Sequence, residues 1–328
     1  MCATTPSLEP SEAKAQHYIP KFYLKGFTDK VRTLWVYEKF NAMRASTPKK
    51  EAHRADYYTH AEDGQRDETA ENMLKVVESC AAPIICKLAN PQYRLTPITA
   101  GHLLMFVGFM FVRVPSWREN LDNIAVRIAR SKQLDLASDK AKFHKSCVEF
   151  ENATGKSVGD YEAMRQYVLK GNFKLEQTSA AFNLGAMFTS GLDLIEQLRD
   201  FGYRVLYAPT GKFFWTSDAP VFTLHPEANR QATVGMGFGW PGVEAYFPLN
   251  KKACLMLKRR IQSGTAVIEV GHLEQINRVI MATATRYLYS SEGYKRIARL
   301  FDERGCKVRP GKESFLPTPP HSHGLLFA

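Results

Sequence analysis

A histidine, two glutamates, an arginine and a Ser-Asp pair are the residues of this sequence best suited to chemistry. His17 lies in Gln16-His17-Tyr18-Ile19-Pro20-Lys21-Phe22-Tyr23-Leu24-Lys25-Gly26-Phe27. Pro20 suits the first position of a helix, where a missing N–H costs nothing. Gly26 suits its end, where a left-handed residue is often needed. His17 then stands just outside a helix N-terminus, whose positive dipole end disfavours an imidazolium. A neutral imidazole can act as a base or a metal ligand. It can equally fix a turn by hydrogen bonding, and the local sequence leaves both readings open.

The carboxylates come from further along. Asp67 to Leu88 has an apolar stripe of Ala70, Leu74, Val77, Ala81, Ile84 and Leu88 at helical spacing. At 3.6 residues per turn, Glu71 and Glu78 fall near one border of that stripe, two turns apart. Such a pair could bind a metal, act as acid or base, or grip a cation. The alternative is a solvated flank in which Glu71 pairs with Lys75 at i+4. Arg113 ends a helix opened by Thr96-Pro97 and apolar nearly all round. It shares a face with Phe106, Phe109 and Met110, so a carboxylate partner is expected: Glu71, Glu78 or Asp218. The alternative is an arginine that emerges at the helix end and reaches water. Pro115 should kink or end that helix. Ser217-Asp218-Ala219-Pro220 joins two expected strands. An aspartate fixed by a following proline is well placed for a site, and equally good as a turn.

The elements that must hold these groups change character along the chain. Thr33–Tyr37 reads as a strand, 41–53 as a basic loop and Asp56–Thr59 as a short extended piece. Helices are expected over 121–132, 140–151, 158–169 and 179–200, with a lobe boundary at Asn152–Gly159. Strands are then expected at 203–208, 213–216, 221–224, 244–249, 253–258, 265–270 and 287–290, with helices at 272–285 and 291–304. The fold class is α+β, a helical N-terminal half packed on a mainly antiparallel sheet in the C-terminal half.

The 328 residues carry a net charge of +11, with 45% hydrophobic and 23% charged residues. That is a globular composition whose basic balance points to nucleic acid or another anionic ligand as partner. Cys2, Cys80, Cys86, Cys147, Cys254 and Cys306 form no Cys-x-x-Cys pair. With no apolar leader, their wide spacing suggests reduced thiols and a cytoplasmic protein. The apolar run Leu103–Val112 is far short of the roughly 20 residues that span a bilayer, so no membrane partner is expected. P-loop, zincin and Gly-x-Ser-x-Gly patterns do not occur. Gly235-Met236-Gly237-Phe238-Gly239 opens no helix and reads as a loop.

Four segments taken together resemble an uncharacterised, mostly microbial family, domain of unknown function 4238. They are Gln16–Phe27, Asp56-Tyr57-Tyr58-Thr59, Ser217-Asp218-Ala219-Pro220 and Phe247-Pro248-Leu249. The third turn residue is often asparagine in that family and is Ala219 here. By resemblance, His17, Pro20 and Leu24 match the opening signature, Glu71 or Glu78 the acidic helix, and Arg113 the basic position late in the apolar helix. Ser217, Asp218 and Pro220 match the turn. The resemblance implies a single domain over 16–305, with a helical lobe at about 60–200 and a sheet lobe at about 201–290. A loose arm (1–15) and a mobile tail (306–328) flank it. No reaction follows from the resemblance.

The residues themselves suggest a hydrolase acting on a phosphodiester or other anionic substrate. His17, Glu78 and Asp218 would be catalytic, and Lys21, Tyr23, Arg113 and Ser217 would bind substrate. A divalent metal is an allowed cofactor. The competing expectation is a non-enzymatic binding or regulatory protein in which the same polar cluster is structural.

Overall fold

The computed structural model describes residues 14–62, 65–171, 173, 179–225 and 237–305. The arm and tail lie almost wholly outside these residues, as does the start of the Gly235–Gly239 loop. The chain opens with β1 (Ala15–His17) and α1 (Lys21–Lys25), followed by β2 (Leu34–Glu38), β3 (Arg44–Ser46) and β4 (His53–Ala55). A short hairpin, β5 (His60–Glu62) and β6 (Gln65–Asp67), precedes six helices. These are α2 (Thr69–Lys87), α3 (Pro97–Val112), α4 (Pro115–Ser138), α5 (Lys140–Thr154), α6 (Tyr161–Leu169) and α7 (Ala180–Leu198). Strands β7 (Phe201–Tyr207), β8 (Thr216–Ser217), β9 (Phe222–Leu224), β10 (Glu244–Asn250), β11 (Ala253–Arg259) and β12 (Gly264–Val267) come next. Helix α8 (Val270–Thr283), strand β13 (Tyr287–Ser290) and helix α9 (Lys295–Gly305) complete the described chain.

The class is α+β, with two corrections of detail. The N-terminal half is helical only in part, because β1–β6 precede the first long helix. The sheets also cross the halves: β2 pairs with β13 in the four-stranded order β3-β2-β13-β8. The expected 41–53 loop contains β3, β4 begins at its end, and Asp56–Tyr58 is a turn rather than an extended piece. Thr59 N–H closes that turn on the Asp56 carbonyl at 3.2 Å, with Asp56 at φ 48°.

The five-stranded sheet has the order β12-β7-β11-β10-β9, and only the β12–β7 pair is parallel. Its side chains alternate between two cores, as strand periodicity requires. Val205, Tyr207, Ala245, Phe247, Leu255 and Leu257 face the core shared with α2, α3 and α7. Leu206, Tyr246, Cys254 and Met256 face the core shared with α8 and α9. Both faces are therefore covered, which is why these strands are apolar nearly throughout. Helix α3 is buried on most sides, and it meets α7 where Gly108 and Gly191 leave no room for a side chain.

Helix α3 starts as the sequence indicates, with a Thr96/Thr99 capping box and Pro97 in the first turn. After Arg113 the axis bends by 58° and Pro115 opens α4. No single helix among the described residues is long and apolar enough to cross a membrane. The polar stretch 152–159 does not divide two lobes. It joins α5 to α6 inside a satellite of α4, α5 and α6 built on Ala137, Phe143, Cys147 and Val168.

Gly26 is needed for space rather than for backbone conformation. It is right-handed, at φ −64°. A Cβ there would lie 2.9 Å from Asn250 Cβ and 3.1 Å from the Tyr23 carbonyl oxygen. Gly26→Ala is therefore expected to cost about 1–3 kcal/mol by overpacking. Urea unfolding checks this, and a midpoint equal to wild type would show that α1 can move off β10.

Candidate functional site

The opening motif acts as a clasp. Gln16 is buried and spans three partners: its Oε1 accepts from Tyr58 N–H (2.6 Å), and its Nε2 donates to Thr59 Oγ1 (2.7 Å) and Glu71 Oε2 (2.9 Å). The strand is held on its other edge by β4, with His17 opposite His53. Pro20 caps α1 rather than occupying its first turn.

Arg113 fastens this clasp to the helices. Its Nη1 donates to Glu78 Oε1 at 2.8 Å, its Nε to the Tyr58 hydroxyl at 2.9 Å and its Nη2 to the His17 carbonyl at 2.8 Å. Of the three carboxylates allowed by the sequence, Glu78 is the partner. The arginine is only 3% exposed. Burial alone would weaken its charge, but Tyr58 and Glu78 hold its pKa above the ordinary value. Glu71 forms the expected i,i+4 pair with Lys75, at 3.1 Å.

Where these elements meet, a cavity of about 150 Å³ opens. His17, Lys21, Glu71, Lys75, Glu78 and Arg113 all line it. The imidazole Nε2 lies 3.3 Å from the Lys49 carbonyl oxygen. That contact requires the proton on Nε2 and leaves the lone pair on Nδ1. Burial first, then the nearby Lys21 charge, pushes the His17 pKa down to about 4. The neutral state read from sequence is kept, but its main cause is burial rather than the dipole of the five-residue α1.

Three residues placed in the site by sequence are elsewhere. Tyr23 is fully buried, stacked on Phe247 with ring centroids 5.1 Å apart. Its hydroxyl donates to the Pro248 carbonyl at 2.7 Å and meets Thr216 Oγ1 at 2.7 Å. Ser217 is buried and bonds within its own turn, to the Ala219 carbonyl at 3.0 Å. Asp218 is buried beneath the turn that leads into β13. Its Oδ1 accepts from Thr285 N–H (2.8 Å), and its Oδ2 from Arg286 N–H (2.7 Å) and Tyr287 N–H (3.0 Å). Burial pushes its pKa up to about 6 against those three donors. Asp218 does not line the His17 cavity. Its charge is instead felt by the Tyr18 phenol.

Lys75 is expected from sequence only as the partner of Glu71, not as a cavity residue. Tyr58 and Gln16 fall within motif segments but carry no predicted role. Among the described residues no group of three or more His, Cys, Asp or Glu side chains is placed to hold a metal ion. The Glu71, Glu78 and His17 set therefore does not fit a three-ligand metal centre. A larger cavity, about 690 Å³, lies between α8, α9 and the segment leading into β8. None of the residues predicted for the site lines it.

A two-face-covered sheet, an N-terminal clasp and a polar cavity beside it define an α+β protein whose sequence motifs meet in space. The chain belongs to the family described as protein of unknown function DUF4238, whose model matches residues 15–293. Helix α9, part of the larger cavity's wall, lies past that region. Neither the curated proteins nor the solved structures give a match.

Proposed function

We propose that the protein hydrolyses an anionic substrate, a phosphodiester foremost, with His17 as general base. The observation that carries this reading is a neutral imidazole sharing one cavity with Lys21, Lys75 and two half-buried carboxylates. The cavity volume equals about five waters, room for a phosphate group and an attacking water rather than a whole nucleotide. Glu71 and Glu78 are already engaged, by Lys75 and Arg113 respectively. Lys21 forms no ion pair among the described residues and is the cation available to an incoming anion. Arg113 supports the site by holding the His17 backbone, so on this reading it positions the base rather than binding substrate.

Purified protein should cleave labelled RNA, DNA or a chromogenic phosphodiester in the presence of a chelator. His17→Ala should lower the rate by about 10²–10⁴-fold, the usual span for a general base. Its melting temperature should hardly move, since the ring makes a single long hydrogen bond. The wild-type rate should rise with pH through about 4, as the base loses its proton. The ionisable groups around the ring are Lys21 from α1, His53 from β4, Arg113 at the end of α3, and Glu71, Lys75 and Glu78 from α2. Equal rates in wild type and His17→Ala would end the assignment.

A second reading has its own support. The motif residues Gln16, Tyr23, Tyr58, Arg113 and Asp218 spend their polar atoms on one another or on backbone. On that reading the signature locks a binding or regulatory protein together, and variants lose stability with no activity to lose.

A further inference from the structure

We propose that the substrate is RNA, cleaved through its own 2′-hydroxyl by the cross-strand pair His17 and His53. The inference rests on the hydrolase reading above and narrows it. His17 and His53 are register partners in the β1–β4 ribbon. Directly opposed residues put their side chains on the same face. The two rings are tilted by 49°, with centroids 5.2 Å apart. One phosphodiester can therefore be touched by both, each nitrogen within about 2.6–3.2 Å of a different oxygen.

The pair is also chemically unequal. Two imidazoles this close resist being charged together. His17 is half-buried beside Lys21, and a charge on His53 disfavours one on His17. His53 is exposed beside the His17 ring and is not part of the cavity lining. We therefore assign the base to the half-buried ring, His17, and the acid to the exposed one, His53. Close to the pair the surface carries further positive charge: Lys49 and Lys50 are exposed on the short 3-10 helix before β4. Cations beyond the cavity have no use for a small phosphate ester but suit the backbone of a polymer.

The step balances without a further reagent. Nδ1 of His17 takes the 2′-hydroxyl proton as O2′ forms a bond to phosphorus. The P–O5′ bond breaks, and the His53 imidazolium gives its proton to O5′. The products are a 2′,3′-cyclic phosphate and a 5′-hydroxyl. Water then opens the cyclic ester with the two histidines in exchanged roles, restoring both protonation states. Lys21 is placed to stabilise the charge that grows on the phosphoryl oxygens.

The test uses full-length protein with chelator and three end-labelled strands of one sequence: RNA, DNA and 2′-O-methyl RNA. Only RNA should be cut, with cyclic phosphate ends forming first and 3′-phosphate ends following. His53→Ala should lose about 10²-fold or more on RNA. Its loss on a nucleoside 3′-(p-nitrophenyl phosphate), whose leaving group needs no acid, should be far smaller. His17→Ala should lose both activities. A structural role for His53 would not split the two substrates in this way. Equal cutting of DNA, or RNA cleavage in which no cyclic end forms even at the earliest times, overturns the RNA assignment and leaves the hydrolase reading standing. Wild-type RNA cleavage by His53→Ala overturns its role as acid. No cleavage of any phosphodiester overturns both proposals.

Discussion

Arg113→Ala is expected to lower the melting temperature by about 10 °C, more than any substitution at the cavity rim. The guanidinium is buried and serves three partners on three segments: Glu78 on α2, Tyr58 in the 56–59 turn and the His17 carbonyl on β1. Truncation leaves the Tyr58 hydroxyl and the His17 carbonyl without that donor, and Glu78 without its cation. Breaking a buried pair from one side typically costs about 3–5 kcal/mol. For a domain of this size each kcal/mol is worth about 2–4 °C. Lysine should not rescue the loss, because one ammonium cannot place three directed donors on three segments. Glu78→Gln should cost less, since Glu78 is 23% exposed and water can replace part of what it loses. Thermal melts of the three variants decide the matter. An Arg113→Ala melt within about 2 °C of wild type would mean that the clasp is held by Gln16 and the β1–β4 pairing alone, given the same conversion.

That same residue marks how far the sequence could be read. Arg113 sits on an apolar helical face, so a carboxylate partner followed from periodicity and from the cost of burying a charge. Glu78 was among the few residues on a facing helix with the right position. Helices α2 and α3 were legible for similar reasons, through the stripe from Ala70 to Leu88 and the Thr96-Pro97 start. The β1–β4 ribbon was not. Its strands are three residues each and 38 positions apart in register, and Gln16 bonds rather than strand propensity help hold it in place. His53 therefore carried no signal, since only the pairing brings it beside His17. Tyr23 at helical spacing reads as core and as contact alike, and its stack on Phe247 settles it as core. Asp218 lies away from the His17 cavity, which the sequence could not show for a different reason. An aspartate before proline between strands makes the same local pattern whether it faces a ligand or ties down a turn. Only the distant amides of Thr285, Arg286 and Tyr287 distinguish the two cases.

Asp218 should accordingly reveal itself in stability rather than in rate. Asp218→Ala leaves three backbone N–H groups without their acceptor, an expected loss of about 3 kcal/mol at the low end of the usual range. The pH dependence gives a sharper signature. The folded-state pKa is about 6 against an ordinary 3.8, so the folded protein binds the proton more tightly than the unfolded chain. The stability from this group is complete below about 3.8 and is lost as pH rises through about 6, a span worth about 3 kcal/mol. His17 works in the opposite sense over nearly the same window. Its pKa is lowered from 6.5 to about 4, so its contribution is present above 6.5 and is lost as pH falls through about 4. Its ring is only half-buried, so solvent screening makes its effect the smaller of the two. In wild type the two slopes oppose each other, and single variants should separate them. Relative to wild type, Asp218→Asn should become less stable as pH falls from 6 to 4, whereas His17→Gln should become more stable. Urea unfolding at half-unit steps across this range measures both. Three parallel profiles would mean that neither group changes its proton affinity on folding, and that the cavity histidine is not the neutral base on which the cleavage chemistry depends.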